Sequence, residues 1–286
     1  MKTNNEILII GGDSRQLYMS DFFEENGFRT SIYGLPEKKK KCSENLKHSI
    51  KSADIIVLPL PVTKDNKYLY SLIPMKETLD DIAAATSDKI IFGGMINRGT
   101  ESKLKKNNNR VFDFFKREDI TMLNAIPTAQ GILKTMIDNI EYTIHSSKCA
   151  IFGFGRIARI TAQVLKAIGA DITICARKSG DIAAAKAYGY SGRYINGFEK
   201  EAHKFDILIN TVPALIIKRE ILAKVKPDCL VIDVASAPFG TDFACAYELG
   251  VNVIQSSSLP GKVAPKTAGE IIGRGIINTL EEEFGE

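Results

Sequence analysis

The strongest constraint on the fold is a repeated alternation of short, almost wholly apolar runs with segments of helix length. In the first half of the chain these runs are EILII, RTSIYG, ADIIVLPLP, DKIIFGG and, at residues 120–125, ITMLNA. Strands that are apolar at nearly every position are typical of parallel sheets covered by helices on both faces. The pattern therefore predicts an α/β chain rather than an all-β or all-helical one.

The same alternation returns in the second half, in the runs CAIFG, DITICA, DILINT, CLVIDVAS and NVIQSS. Between the two halves, Ile132, Met136, Ile140 and Ile144 recur every four residues, which predicts a long helix. A last helix is predicted from about residue 267 to residue 283, where isoleucines recur at helical spacing.

We therefore predict two doubly wound parallel-sheet domains. The first is a flavodoxin-like N-terminal lobe of residues 1–126, and the second is a Rossmann lobe of residues 147–264. A connector helix at residues 127–146 joins the two lobes. The C-terminal helix, residues 265–286, is expected to pack back on the first lobe.

Composition narrows the class of function. A net charge of +4 over 286 residues, without a basic arm, argues against a nucleic-acid partner. No apolar run approaches the roughly 18 residues of a membrane span, and the first residues lack the apolar stretch of a signal peptide. We therefore expect a cytoplasmic protein. Five cysteines without a C-x-x-C pair predict neither a zinc site nor a disulfide framework, and no metal is expected.

The segment GFGRIA fits the dinucleotide-binding pattern G-x-G-x-x-A. Gly153 would let the chain turn sharply after the strand, and Gly155, which has no Cβ, would let the backbone approach a pyrophosphate. The phosphates would then lie at the N-terminus of the next helix, beside the N–H groups of Arg156 and Ile157. An apolar strand precedes the motif and an amphipathic helix follows it, so we favour a cofactor site over a purely structural glycine turn.

The end of the second strand of this unit reads Ala176-Arg177-Lys178-Ser179. NAD enzymes usually place a carboxylate there, on the ribose 2′-hydroxyl. Arg177 can instead bind a 2′-phosphate through its planar guanidinium, while Lys178 adds charge and Ser179 can donate a hydrogen bond. We therefore predict NADP rather than NAD. The alternative is that Arg177 stacks on the adenine of NAD and Lys178 is merely solvated.

Two further strand ends would complete the cofactor site, because ligands gather at the carboxyl ends of parallel strands. Thr211, Val212 and Pro213 are predicted to line the pocket of the nicotinamide ribose. Asp233, Ala235 and Ser236 are predicted to lie near the nicotinamide ring. The alternative is that all six are ordinary turn residues.

The segments GGDSRQ, NAIPTAQG, NTVP, IDVASAPFGTDF and LPGKVAPKTAG resemble those of the dipicolinate synthase A-subunit family. The resemblance covers nearly the whole chain, and its most specific part is SLPGKVAPKTAG, at residues 258–269. Gln130 departs from the glutamate more common in that family, which argues against an acid–base role at this position.

The resemblance implies an enzyme of spore-forming bacteria that acts in the mother cell. It implies an NADP-linked oxidation of a dihydrodipicolinate, derived from a 4-hydroxy-tetrahydrodipicolinate, on a branch of the lysine and diaminopimelate pathway. It also implies a small dicarboxylate substrate and a partner, the flavoprotein-like B-subunit of dipicolinate synthase. The oligomeric state is left open, with a homodimer as one alternative.

A dicarboxylate needs cations or N–H groups in its pocket, and several residues are candidates. Arg15 follows the Gly11-Gly12-Asp13 turn, Lys262 and Lys266 lie in a loop rich in glycine and proline, and Asn97 follows another strand of the first domain. Each has a plainer alternative: Arg15 as a surface charge, Asp13 as a helix cap, Lys266 as a solvated side chain. The residues predicted to bind substrate are Gly12, Arg15, Asn97, Thr128, Gln130 and Lys266.

For proton transfer we nominate Asp13, Asp233 and Lys262. Aromatisation would drive the oxidation, so the protein mainly has to orient the reactants and accept a proton. Two other functions stay open: a reductase of the D-2-hydroxy-acid or alanine dehydrogenase type, and a non-catalytic NADPH-binding protein that regulates its partner. The three histidines, His48, His145 and His203, lie in polar helical stretches rather than at strand ends, which argues against the first of these.

Overall fold

The computed structural model describes residues 5–35, 43 and 45–285. The chain divides into two compact units, Met1–Asn124 with Ala264–Glu286, and Ala125–Val263. The N-terminal segment of the first unit contains β1 (Glu6–Ile10), α1 (Ser14–Glu25), β2 (Arg29–Tyr33), α2 (Leu46–Ser52), β3 (Ile55–Val57), α3 (Leu79–Ala85), β4 (Ile90–Gly93), α4 (Arg98–Leu104), β5 (Arg110–Asp113) and α5 (Glu118–Leu123).

The second unit alternates strand and helix in the same way. Its elements are α6 (Ala125–Asn139), β6 (Lys148–Phe152), α7 (Arg156–Ala167), β7 (Asp171–Ala176), α8 (Ser179–Ala187), β8 (Ser191–Tyr194), β9 (Ile207–Asn210), α9 (Arg219–Leu222), β10 (Leu230–Asp233), α10 (Phe243–Glu248), β11 (Asn252–Gln255) and α11 (Leu259–Val263). The chain then returns to the first unit in α12 (Pro265–Phe284).

The first sheet has the strand order β2-β1-β3-β4-β5, and all its described pairs are parallel. This is the flavodoxin-like order, which reverses direction between β1 and β3. Ile7 and Ile9 pack into the core on one face of the sheet, and Leu8 and Ile10 pack into the core on the other. Helices on both faces explain why this strand is apolar at almost every position.

The second sheet has the order β11-β10-β9-β6-β7-β8, again with parallel pairs throughout the described strands. Counted from β6, this is the Rossmann order, with the reversal between β6 and β9. Cys149 and Ile151 face one core, and Ala150 and Phe152 face the other. The predicted fold class, with two doubly wound parallel sheets, is confirmed.

Two predicted elements were wrong. Residues 120–125 are not a strand, because Glu118 and Asp119 begin the helix α5, where acidic residues suit the first turn and the Asp119 carboxylate accepts a hydrogen bond from the N–H of Ile120. The fifth strand is Arg110–Asp113 instead. The predicted helix at residues 127–146 ends at Asn139, and the chain beyond it is held as a loop by the Tyr142 hydroxyl, which donates to the carbonyl of Asp206.

The C-terminal helix packs on α1 within the first unit, as predicted. Glycines allow the close approach: a Cβ on Gly269 would lie 2.4 Å from the carbonyl oxygen of Arg15. Arg117 adds a polar connection, since its guanidinium binds both Asp119 and Glu282. The four cysteines that the structure describes are free and buried.

Candidate functional site

The dinucleotide turn follows β6 directly. Gly153 has a φ of +97°, a conformation that favours glycine, and a Cβ there would lie 2.7 Å from Oγ1 of Thr211. The Thr211 hydroxyl donates a hydrogen bond to the carbonyl of Phe152, the last residue of β6. The turn is therefore packed against the end of β9, at the point where the strand order of this sheet reverses.

Gly155 is different, because its φ of −78° is ordinary and a Cβ there would meet no atom of the described residues within 4 Å. In the described part of the chain, the glycine leaves open space immediately before the N-terminus of α7, and no side chain there caps this helix. Its neighbours Arg156 and Ile157 form the first turn of this 12-residue helix. Open space beside the N–H groups of a helix start suits a pyrophosphate, so the structure fits the predicted nucleotide turn.

The end of β7 is cationic. Arg177 and Lys178 are exposed and form no ion pair with any residue that the structure describes, and Ser179 begins the helix α8. No carboxylate lies between Ala176 and Ser179, where an NAD enzyme usually has one. The segment is therefore free to bind a phosphate group, and its charge suits one.

The segments after β9 and β10 are tied together by two buried side chains. Asp233 accepts hydrogen bonds from Nδ2 of Asn210 (3.0 Å), from the N–H of Ala235 (3.0 Å) and from the N–H of Gly240 (2.9 Å). Asn210 also exchanges hydrogen bonds with the backbone of Val212. Among the candidates, Val212 and Ala235 thus belong to one network at the carboxyl edge of the sheet. Thr211, Pro213 and Ser236 are their neighbours in the sequence.

Asn210 was not among the predicted site residues. The signal that could have found it is a polar side chain that ends the otherwise apolar run ILIN. Asp233 itself is fully buried, and its two oxygens accept three hydrogen bonds. This setting makes Asp233 a residue that positions the two loops.

The first unit buries an ion pair after β1. Nε and Nη2 of Arg15 donate to the two oxygens of Asp13 at 2.9 and 2.8 Å, and Nη2 also donates to the carbonyl of Leu60 at 2.8 Å. Asp13 is at the same time the N-cap of α1, in a capping box with Gln16. Gly12, with a φ of +103°, packs against the Gln16 side chain. Arg15 is thus a buried, oriented cation rather than a surface charge.

The remaining candidates each have a setting of their own. Asn97 is exposed, caps α4 and donates to Oδ1 of Asn66. On α6, Thr128 is buried and Gln130 is exposed. Lys262 is exposed on α11. Lys266 is exposed within 3.9 Å of Glu270, in a groove that also holds three other carboxylates, Asp21, Glu24 and Glu25, a setting that does not favour a dianion.

Within the described residues, no group of three or more His, Cys, Asp or Glu side chains is arranged to hold a metal ion. A search of the same residues for a helix with the length and apolar character to cross a bilayer found none.

Two family models match the chain, one for each unit. The sequence model of the N-terminal domain of the dipicolinate synthase A-subunit matches residues 6–115, and that of the D-isomer specific 2-hydroxyacid dehydrogenase NAD binding domain matches residues 126–247. The dehydrogenase match supports a nicotinamide cofactor for the second unit.

Relatives match over the full length. The dipicolinate synthase A-subunit of Bacillus subtilis (strain 168) is 30% identical over 290 residues, which cover 99% of this chain and 98% of the relative. The crystal structure of the A-subunit from Bacillus halodurans has a TM-score of 0.85 at 30% identity and covers 96% of this chain and 97% of its own. The crystal structure of the Bacillus subtilis protein has a TM-score of 0.83 at 30% identity, with coverage of 97% and 96%.

Proposed function

The chain belongs to the dipicolinate synthase A-subunit family, and we propose that it oxidises a dihydrodipicolinate to dipicolinate with NADP, together with the flavoprotein-like B-subunit of that enzyme. The substrate would derive from 4-hydroxy-tetrahydrodipicolinate, in the mother cell of a sporulating bacterium. The observation that carries the proposal is the full-length match to this family, in a chain whose second unit has a dehydrogenase-type nucleotide turn.

NADP, when bound, supplies the two-electron acceptor for the oxidation. We propose that the turn at Gly153 and Gly155 and the first residues of α7 bind its pyrophosphate. Arg177, Lys178 and Ser179 would bind the 2′-phosphate, where a guanidinium and an ammonium replace the usual carboxylate. The residues proposed for the nicotinamide half are Thr211, Val212, Pro213, Ala235 and Ser236.

The substrate carries two carboxylates, and the first unit offers a buried cation to one of them in Arg15. Gly12, Asn97, Thr128, Gln130 and Lys266 remain proposals for further contacts. Of the three groups nominated for proton transfer, Asp13 is paired with Arg15 and Asp233 is occupied by three hydrogen bonds. Lys262 is exposed, and we propose it as the group that contacts a substrate carboxylate or handles the proton.

The test is a spectrophotometric assay of NADPH formation from freshly prepared cyclic precursor, with and without the B-subunit. We expect absorbance at the NADPH wavelength to rise with the complete pair, and the product to be pyridine-2,6-dicarboxylate. Absence of turnover by that pair would exclude the proposed reaction.

Two alternatives give different outcomes. A regulatory protein would bind NADPH but show no turnover even with its partner present, and Arg15→Ala or Lys262→Ala would leave the activity of that partner unchanged. A 2-hydroxy-acid or alanine dehydrogenase would reduce a 2-oxo acid without a partner. His48 lies on α2 and His203 in a short helical turn before β9, and neither stands at the carboxyl end of a strand, which does not favour that chemistry.

A further inference from the structure

The loop that follows β3 closes over the turn that follows β1. The N–H of Gly12 donates to the carbonyl of Tyr70 at 2.8 Å, and the N–H of Leu72 donates to the carbonyl of Gly12 at 3.0 Å. The N–H of Tyr70 in turn donates to the carbonyl of Val62. The strand order of the first sheet reverses between β1 and β3, and this is where doubly wound sheets bind ligands.

Arg15 lies beside this loop with one donor group to spare. Its Nε and Nη2 are occupied by Asp13 and by the carbonyl of Leu60, whereas its Nη1 forms no hydrogen bond with any residue in the described part of the chain. The side chain is only 4% exposed, so the guanidinium cannot swing away. Nη1 is therefore a hydrogen-bond donor in a fixed position that can bind an anion.

The Tyr70 phenol lies close enough to Asp13 and Arg15 for both charges to act on its pKa. Burial raises the pKa of the phenol, the carboxylate of Asp13 raises it further, and the charge of Arg15 acts in the opposite direction. The net rise in pKa keeps the hydroxyl protonated at neutral pH, where it is a hydrogen-bond donor. Within residues 5–35, 43 and 45–285 this hydroxyl has no hydrogen-bond partner.

A second cation belongs to the group. Nζ of Lys64 lies 4.2 Å from the centroid of the Tyr70 ring, a cation–π contact that holds the ring and adds positive charge to the loop. Arg15 and Lys64 together outweigh the single negative charge of Asp13. The cluster therefore combines a net positive charge with two donors that have no partner among the described residues.

We infer that Tyr70 is a substrate-contacting residue, whose hydroxyl donates a hydrogen bond to a carboxylate of the dicarboxylate bound at Arg15. This inference rests on the proposed function, since it takes its ligand from there. Lys64 is a positioning residue that fixes the ring and favours a dianion over a neutral compound.

The test is calorimetric titration of the full chain with pyridine-2,6-dicarboxylate, which needs neither turnover nor the B-subunit. Tyr70→Phe keeps the ring and the contact with Lys64 and removes only the hydroxyl. We expect it to bind about tenfold more weakly, the effect of losing one hydrogen bond to a charged group. Lys64→Met, at an exposed position, should weaken binding about threefold.

Tyr68→Phe is the matched control. Tyr68 lies on the same loop with a lysine, Lys67, 5.1 Å from its ring centroid, but the side chain is exposed. Its replacement should leave the affinity unchanged. Wild-type affinity in Tyr70→Phe would overturn the inference while leaving the proposed function intact, and wild-type affinity in Lys64→Met would overturn the positioning role of Lys64. A wild-type protein that does not bind the dicarboxylate would refute the substrate class, and the inference with it.

Discussion

The carboxylate of Asp233 accepts a hydrogen bond from the side-chain amide of Asn210 at 3.0 Å, and both side chains are fully buried. The two residues face each other at the last paired position of β9 and β10. Through this contact and the backbone N–H groups of Ala235 and Gly240, the loop after β10 is held against the loop after β9. The shape of the proposed nicotinamide pocket therefore depends on a side chain that need not touch the cofactor.

Asp233→Asn should destabilise the protein, because either orientation of the new amide points its NH2 group at a donor. We expect the free energy of unfolding to fall by about 2–3 kcal/mol, and NADPH to bind more weakly, as measured by urea denaturation and by nucleotide titration. Asp242→Asn is the matched control, since Asp242 caps α10 and asparagine caps equally well. Equal stability of the two variants would contradict this account of Asp233.

The two glycines of the nucleotide turn should respond differently to substitution. Gly155→Val places a side chain in the open space before α7, so NADPH binding should be lost while the thermal midpoint changes little. Gly153→Ala instead forces a Cβ into Thr211 at a positive φ, and should cost about 1–3 kcal/mol of stability. Retention of NADPH affinity in folded Gly155→Val would exclude this turn as the pyrophosphate site.

Cofactor preference should depend on the end of β7. Arg177→Ser combined with Lys178→Ser is expected to weaken NADPH binding about tenfold or more and to leave NADH binding nearly unchanged, because only NADPH carries the 2′-phosphate. The chain has no tryptophan, so titration followed by NADPH fluorescence is a clean assay. Lys186→Ser serves as the control, because Lys186 lies in the last turn of α8, the helix that follows this segment. A wild-type protein with equal affinity for both nucleotides would remove the NADP proposal.

The local patterns of the sequence were sufficient for most strands of the two sheets and for the glycine turn after β6. A strand such as ILII is buried on both faces of its sheet, so it is apolar at every position and can be recognised in the sequence. The strand β8 left no such signal, because SGRY is an edge strand with only Gly192 buried. The strand predicted at residues 120–125 was wrong because an apolar run of this length is equally compatible with a helix. The acidic residues just before the run favour the start of a helix.

The site depends on contacts that no local pattern contains. Arg15 could be nominated from its place after a strand, and its pairing with Asp13 is local, but its contact with the carbonyl of Leu60 joins residues 45 positions apart. Tyr70 lies in a long loop without helical or strand periodicity, and the hydrogen bonds of Gly12 with Tyr70 and Leu72 hold this part of the loop at the end of β1. Such long-range contacts depend on strand order, which sequence patterns do not specify.

Stability should depend on pH through Asp206. Burial raises the pKa of this carboxyl group, but the hydrogen bond from Lys226, the N–H of Lys148 and the two lysine charges outweigh it, so the pKa lies below its ordinary value. A depressed pKa in the folded state stabilises the protein above the unfolded pKa of about 3.9, and this contribution is lost as pH falls through the folded pKa.

Asp206→Asn should therefore be less stable than the wild type by about 1 kcal/mol at pH 7, and the gap should narrow below about pH 4. Urea denaturation at a series of pH values measures both. Asp171→Asn, at an exposed carboxylate that starts β7, should change stability little. A gap that stays constant down to about pH 3 would contradict the assignment to Asp206.

The close packing of α12 on α1 should leave no space for a side chain at Gly269. A Cβ there would lie 2.4 Å from the carbonyl oxygen of Arg15 and 3.0 Å from the backbone nitrogen of Met19, and neither backbone atom can rotate away. Gly269→Ala should therefore cost about 2–3 kcal/mol in urea denaturation. Gly99→Ala, in the exposed helix α4 with its nearest contact at 3.4 Å, should instead stabilise by up to about 1 kcal/mol. Because the nearer displaced atom is the carbonyl oxygen of Arg15, Gly269→Ala should also weaken binding of the dicarboxylate. Wild-type stability with wild-type affinity would show that the two helices are not in close contact.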